Sequence, residues 1–216
     1  MQPLAIIVLE YLEPEWQQTL DCVKATGLPY FIAKRDGVGN MSRAFNEAYD
    51  KYVRGKFEKV WMVTNVVFNK AVPFILEEAL NMNSILVGIH PAMSGSDHAH
   101  QIPDKSNSVK IVPFIELTAP MFSWVAFERF VLCEETPYWY MDLIISYQLK
   151  KEIGEIAVHH GCEVAHQYLR HNHSDHFITR MRKKLRDYWK GPSIEYLVKT
   201  YGEKWKEILW HKNAVE

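Results

Sequence analysis

Short apolar runs alternate with segments of helical spacing along the first 90 residues, and no other feature of the sequence constrains the fold as strongly. Residues 4–9 (LAIIVL) are continuously apolar and include β-branched side chains, which is typical of a strand buried on both faces. Further strands are predicted at residues 29–33, 59–64 and 85–89, with helices at 14–26, 41–53 and 72–82 between them. Strand alternating with helix predicts an α/β protein with a mostly parallel, Rossmann-like sheet flanked by helices.

The alternation ends after Pro91. Residues 90–104 are polar and predict a long loop, and loops of this length are often functional. Beyond it we predict a strand at 109–115, helices at 122–130 and 140–152, a short strand at 155–159, and helices after His173. The sequence has no internal repeat or low-complexity linker, so we expect one domain at residues 1–172 and a basic helical extension at 173–216.

Charge and cysteine content limit the classes of function. The formal net charge is −1, so the whole chain has no strong field toward nucleic acid or membrane. Three scattered cysteines have no metal-ligand spacing and indicate reduced thiols in a cytoplasmic protein. The apolar runs are shorter than the roughly 20 residues of a membrane span, and the N-terminus lacks the basic leader of a signal peptide. These features indicate a cytoplasmic protein without a transmembrane segment.

The predicted strands end in polar residues, at Glu10-Tyr11, Arg35-Asp36 and Thr64-Asn65. Parallel sheets bind ligands at the carboxyl ends of their strands, where the loops gather. We therefore expect these three strand ends to meet at one ligand-binding crevice.

Several motifs, taken in order, resemble a known family. They are RDGVGNMSRAFNEAY, VWMVTNVVF, HPAMSGSDH, VPFIELTAP, PYWYMDL and the late Val164-Ala165-His166. Together, over residues 4–166, they resemble the family-2-type glycosyltransferases with the GT-A fold, and are most similar to a small group from phages and bacteria. The resemblance implies inverting transfer of a sugar from a nucleoside-diphosphate sugar to an acceptor hydroxyl, with the acceptor a surface glycan or a modified DNA base in the host cytoplasm.

The donor site that the resemblance implies lies in the first half of the chain. Glycines allow close backbone approach to a ligand, and a helix capped by Asn40 or Ser42 favours a diphosphate at its N-terminus. The alternatives are an ordinary glycine turn and, for Arg43, a solvated helix residue. The predicted donor-binding residues are Leu9, Tyr11, Arg35, Asp36, Gly39, Asn40, Arg43, Thr64 and Asn65.

The family's Asp-x-Asp metal motif is missing, because this chain has Thr64-Asn65-Val66-Val67 in its place. Three alternatives follow: other residues hold the metal, the enzyme works without metal, or the chain is a degenerate relative. The candidate replacement ligands are Asp97, His98 and His166, the last of which resembles the family's late histidine. One carboxylate with two imidazoles suits Mn²⁺ better than Mg²⁺.

The resemblance places the chemistry in PYWYMDL. There Asp142 matches the catalytic base, which takes the proton of the acceptor hydroxyl, while Trp139 and Tyr140 line the sugar or acceptor pocket. Glu116 is a predicted acceptor-binding residue. A second acidic residue two positions after the base is replaced by Ile144. Asp142 can alternatively be a carboxylate that stabilises a helix N-terminus.

Other classes of function remain open beside glycosyl transfer, because the acidic residues expected at 64–67 and at 144 are missing and the C-terminal part of the chain is basic. A catalytically inactive GT-A domain would bind nucleotide, glycan or nucleic acid without turnover. A nucleotidyltransferase is a further hypothesis without support, because this sequence has neither a Gly-rich signature near the first strand nor paired acidic metal ligands. The basic run at residues 180–190 (RMRKKLRDYWK) can bind a DNA acceptor, pack as an amphipathic helix on the domain, or lie on an anionic membrane.

Overall fold

The computed structural model describes residues 1–10, 15–34, 40–96, 98–129, 132–135, 141–166 and 194–206. The strands in these ranges are β1 (Gln2–Leu9), β2 (Tyr30–Ala33), β3 (Phe57–Val63), β4 (Val66–Phe68), β5 (Leu86–Ser94), β6 (Val109–Ile111), β7 (Met121–Ser123) and β8 (Glu155–His166). The helices named here are α1 (Glu15–Ala25), α2 (Met41–Ala48), α3 (Val72–Met82), α4 (Trp124–Arg129) and α5 (Met141–Glu152).

The described strands form one mixed sheet with the order β2-β1-β3-β7-β5-β8-β4, in which β6 pairs with β8. The strands β1, β2, β3, β5 and β8 run in one direction, whereas β4, β6 and β7 run in the opposite direction. The carboxyl ends of the five co-directional strands therefore lie along the same edge of the sheet. This arrangement confirms the predicted α/β class.

Two apolar cores cover the two faces of the sheet. Ile7 and Leu9 of β1 pack on one face with α2, α4 and α5, whereas Ile6 and Val8 pack on the other face with α1 and α3. Successive side chains of a strand point to opposite faces, so a strand covered by helices on both sides must be apolar throughout. This explains the unbroken apolar run that opens the chain.

Several elements differ from the predictions. The strand predicted at 85–89 continues to Ser94, so the predicted loop at 90–104 begins later in the structure. Pro91 lacks an N–H donor, and the β5–β8 register shifts between Pro91 and Ala92, next to that missing donor. The helix predicted at 122–130 is preceded by β7, an antiparallel strand between β3 and β5.

Other differences concern length. The strand predicted at 155–159 extends to His166, β4 was not predicted, and the strand predicted at 109–115 is limited to Val109–Ile111. The helix predicted at 41–53 is α-helical to Ala48 and continues as a π-helix over Tyr49–Val53. By contrast, α3 spans the predicted range of 72–82.

The C-terminal part that the structure describes packs on the domain. Residues 194–201 are helical and a 3₁₀ turn follows at Gly202–Lys204. Leu197 is buried against Phe114, Leu143 and Ile144, which form a third core. Aromatic residues of α5 and of the described C-terminal part pack against this core. The basic run at residues 180–190 lies outside the described residues, so the predicted boundary at residue 172 stays a prediction. None of the described helices combines the length and apolarity needed to cross a membrane.

Candidate functional site

The turn between β3 and β4 holds a buried asparagine with an unusual backbone. Asn65 has φ of 50°, in the left-handed region that asparagine tolerates better than most residues. Asn65 is only 2% exposed, and neither Oδ1 nor Nδ2 of its side chain has a hydrogen-bond partner among the described residues. A buried polar group without a partner costs about 1–3 kcal/mol. An amide kept at that cost at the carboxyl edge of the sheet is a candidate ligand contact.

The residue before it is tied to the segment that precedes β7. The backbone N–H of Thr64 donates to the carbonyl oxygen of Thr118 at 2.8 Å. The Thr64 side chain is largely buried, so the end of β3 is held at a fixed position beside residues 118 and 119. The predicted pair Thr64-Asn65 therefore lies on a rigid part of the sheet edge.

A buried histidine that the sequence analysis did not assign supports this segment. The N–H of Ala119 donates to Nε2 of His90 at 3.2 Å, and the Thr118 hydroxyl lies 3.0 Å from the same nitrogen. Since Nε2 accepts, the ring proton is on Nδ1, which donates to the carbonyl oxygen of Pro91. Complete burial lowers the pKa of His90 to about 4, so the ring is neutral at pH 7. One signal was present in the sequence, since His90 interrupts an otherwise apolar run.

A predicted acceptor residue and a predicted metal ligand are in contact. Nε2 of His98 lies 3.2 Å from Oε1 of Glu116, and the hydroxyl of Ser96 donates to the same oxygen at 3.2 Å. The N–H of His98 in turn donates to the Ser96 hydroxyl at 3.0 Å. Both side chains are mostly buried, so the Glu116 carboxylate has a fixed orientation.

The predicted metal ligands are only partly described by the structure. His98 contacts Glu116, His166 ends β8, and Asp97 lies outside the described residues. Within the described ranges, no three histidine, cysteine or acidic residues are grouped so that they could hold a metal ion. Because Asp97 is not among these residues, the set Asp97, His98 and His166 stays a prediction.

The predicted donor residues near β1 and β2 are only partly described. Leu9 is buried in the core shared with α2, so its side chain serves packing. The N–H of Glu10 donates to the carbonyl oxygen of Ala33 at 3.0 Å, which keeps the ends of β1 and β2 together. The remaining predicted donor residues of this region, Tyr11, Arg35, Asp36 and Gly39, lie outside the described residues.

The N-terminus of α2 carries the two further predicted donor residues. Oδ1 of Asn40 accepts from the N–H of Arg43 at 3.0 Å, so Asn40, rather than the alternative Ser42, is the N-cap. Nε of Arg43 forms an ion pair with Oε2 of Glu134 at 3.0 Å, and this hydrogen bond raises the pKa of Arg43. The guanidinium is largely exposed, so it also faces solvent.

The predicted catalytic base lies at the start of α5. Asp142 is half-buried in the first turn of this helix. The preceding residue, Met141, accepts a hydrogen bond at Sδ from the hydroxyl of Ser42 on α2. Thus α2 and α5, which carry predicted donor-binding and catalytic residues, meet at their N-terminal ends. Trp139 and Tyr140 lie outside the described residues.

The sheet order, with helices on both faces, defines an α/β fold of the GT-A type. Among solved GT-A glycosyltransferases, the chain is similar to A197 from STIV, with 10% identity and a TM-score of 0.55 over 76% of this chain and 84% of that one. GalNAc-T7, whose structure holds UDP, GalNAc and Mn²⁺, gives 8% identity and a TM-score of 0.58 over 76% of this chain and 44% of that one.

S. aureus TarS 1-349 gives 13% identity and a TM-score of 0.50 over 73% of this chain. The chain thus spans 44% of the GalNAc-T7 chain and 58% of the TarS chain. No protein-family model and no curated protein matches the sequence. At these identities the likeness shows the fold that the proteins share.

Proposed function

We propose that this chain is a glycosyltransferase that moves a sugar, with inversion, from a nucleoside-diphosphate sugar to an acceptor hydroxyl. The observation that carries the proposal is the buried amide of Asn65, which has no hydrogen-bond partner among the described residues. A sugar or ribose hydroxyl both donates and accepts, so neighbouring hydroxyls of a nucleotide sugar satisfy Nδ2 and Oδ1 together. The GT-A fold and the strand-end position of Asn65 support this donor class.

The proposed donor site extends from Asn65 along the carboxyl edge of the sheet to the N-terminus of α2. The residues that would contact the donor are those predicted from the sequence. Leu9 would contribute its backbone, because its side chain is buried in the core. The capped end of α2 favours the diphosphate, and the exposed guanidinium of Arg43 is available to a phosphate oxygen. The UDP and GalNAc in the GalNAc-T7 structure support a donor of this class by analogy.

The proposed reaction is a single displacement at the anomeric carbon. Asp142 accepts the proton of the acceptor hydroxyl while the hydroxyl oxygen forms a bond to the anomeric carbon. The bond from that carbon to the diphosphate oxygen breaks, and the nucleoside diphosphate leaves with its electron pair. Glu116, oriented by Ser96, accepts hydrogen bonds from other acceptor hydroxyls. No step is assigned to a metal, because no three histidine, cysteine or acidic residues of the described ranges are grouped so that they could hold one.

The experiment is incubation of the purified protein with UDP-, GDP- and dTDP-sugars, with and without Mn²⁺, followed by measurement of released nucleoside diphosphate. We expect slow hydrolysis or transfer with one donor. Asp142→Asn should reduce turnover about 10²- to 10⁴-fold, the usual contribution of a general base, while donor binding is kept. Asp21→Asn, on the exposed face of α1, is the matched control. Unchanged turnover in Asp142→Asn would remove Asp142 from the mechanism.

A second candidate function is a GT-A domain that binds a nucleotide, glycan or nucleic acid without turnover. It is favoured by the missing carboxylate at residues 64–67 and by Ile144 in place of the second acidic residue. This alternative predicts a thermal shift with a nucleotide sugar and no released diphosphate. A DNA acceptor bound through the basic run at residues 180–190 is a further proposal, tested by adding duplex and single-stranded DNA to the same assay.

A further inference from the structure

One buried side chain of α2 holds the backbone of a residue far along the chain. Nδ2 of Asn46 donates to the carbonyl oxygen of Leu132 at 2.9 Å, and Oδ1 accepts from the Leu132 N–H at 3.0 Å. Asn46 is 7% exposed and Leu132 lies in the core, so both bonds are shielded from water. The amide therefore replaces, for one residue, both hydrogen bonds that a neighbouring strand would provide.

The contact continues to Glu134. Oε1 of Glu134 accepts from Nδ2 of Asn46 at 3.2 Å, and its Oε2 accepts from Nε of Arg43 at 3.0 Å. The backbone carbonyl oxygen of Glu134 accepts from Nδ2 of Asn40 at 2.6 Å. Residues 40, 43 and 46 are spaced by three, so they share one face of the helix. This face forms five hydrogen bonds with residues 132 and 134.

The same helix also holds the chain where α5 begins. Ser42 donates to Sδ of Met141, and Asp142 is the next residue. Thus α2 contacts the chain on both sides of residues 136–140: at Leu132 and Glu134 before them, and at Met141 after them. Asp142 therefore directly follows a residue that α2 contacts.

We propose that Asn46 is a positioning residue, which sets the distance between Asp142 and a donor bound at the N-terminus of α2 by fixing Leu132 and Glu134. The inference rests on the proposed glycosyl transfer, and it assigns a role to three residues that the reaction itself does not use. A base displaced by about 1 Å can lose roughly 100-fold in rate, although donor binding is unaffected. A residue that only stabilises the fold would change stability without changing the rate of the folded protein.

The first test is Asn46→Ala in the full chain, with Asn81→Ala on the exposed side of α3 as the matched control. Below the melting temperature of the variant, we expect kcat to fall 10- to 100-fold and KM for the donor to stay within twofold. Hydrogen exchange should become faster at the Leu132 amide, because its acceptor is removed. Faster exchange with unchanged kcat would overturn the proposal, and so would a raised donor KM with unchanged kcat.

A second pair of variants, with more conservative substitutions, tests the proposal if Asn46→Ala does not fold. Asn46→Asp keeps the acceptor for the Leu132 N–H but places two carboxylates together, at the 3.2 Å contact with Glu134. We expect a lowered kcat, and partial rescue when Glu134→Gln is added, since an amide donor then faces the new carboxylate. Absence of rescue would contradict the proposed coupling. A different result separates this inference from the proposed function. If the wild-type protein turns over no donor while the Leu132 amide responds as expected, the Asn46–Leu132 hydrogen bonds exist, but the proposed transfer function is wrong, and the positioning role is wrong with it.

Discussion

Val66 and His166 are register partners in the antiparallel pair of β4 and β8, although 100 residues separate them in the sequence. Asn65 directly precedes Val66, so the turn at Asn65 lies next to the last residue of β8, the longest described strand. Ser94, at the end of β5, pairs with Ala165 on the other side of that strand. The ends of β3, β5 and β8 therefore lie near Asn65, the residue from which the proposed donor site extends.

The first prediction concerns the trade between stability and binding at this turn. Asn65→Gly should raise the melting temperature by a few degrees, because it removes a buried amide without a partner, about 1–3 kcal/mol, and suits the positive φ. The same variant should lose the thermal shift caused by the nucleotide sugar. Differential scanning fluorimetry with and without the donor measures both effects.

The matched control is Lys105→Gly. Lys105 also has a positive φ, of 62°, but it is exposed, so the substitution changes only the backbone strain. A gain at residue 105 as large as that at residue 65 would show that strain, rather than the buried amide, causes the effect. A donor-induced shift that survives in Asn65→Gly would remove Asn65 from the donor site.

The second prediction concerns the dependence of stability on pH. The pKa of His90 falls from 6.5 in the unfolded chain to about 4 in the folded protein because the ring is buried. Below pH 6.5 the unfolded chain binds a proton that the folded protein does not, so the stability present above that pH is lost as pH falls toward 4. The loss from this residue amounts to about 3 kcal/mol.

Urea unfolding at pH 7, 6, 5 and 4 measures this loss. His90→Gln should be less stable at pH 7 and should show a flatter pH dependence. Some slope should persist, because burial also lowers the pKa of His100 and of His159, and both act in the same direction. An unchanged slope in His90→Gln would mean that His90 does not carry the pH dependence.

The third prediction concerns the C-terminal helix at residues 194–201. Leu197 has no exposed surface and packs on Phe114, Leu143 and Ile144, so Leu197→Ala should cost about 2–5 kcal/mol of unfolding free energy. Val198→Ala is the control, since Val198 is 45% exposed and should cost less than about 0.5 kcal/mol. Chemical denaturation of the two variants compares them directly. Equal effects would indicate that this helix is not part of the folded core.

The sequence by itself determined the elements whose information is local. The apolar run of β1 shows burial on both faces, and the periodicity of residues 72–82 defines α3. It also located Asn65 at a strand end and limited the helix cap to Asn40 or Ser42, because both positions follow from the order of elements along the chain. Backbone propensity and side-chain period are properties of neighbouring residues, so they are legible without coordinates.

Only the tertiary structure decided which distant residues meet. β4 and β7 have three residues each, too few to show a period, and they exist because β8, β3 and β5 offer them partners. The contacts of His90 with Ala119 and of Asn46 with Leu132 likewise join residues 29 and 86 positions apart. A hydrogen bond of this kind depends on the relative position of two packed elements, and that position is set by the core between them rather than by either local sequence.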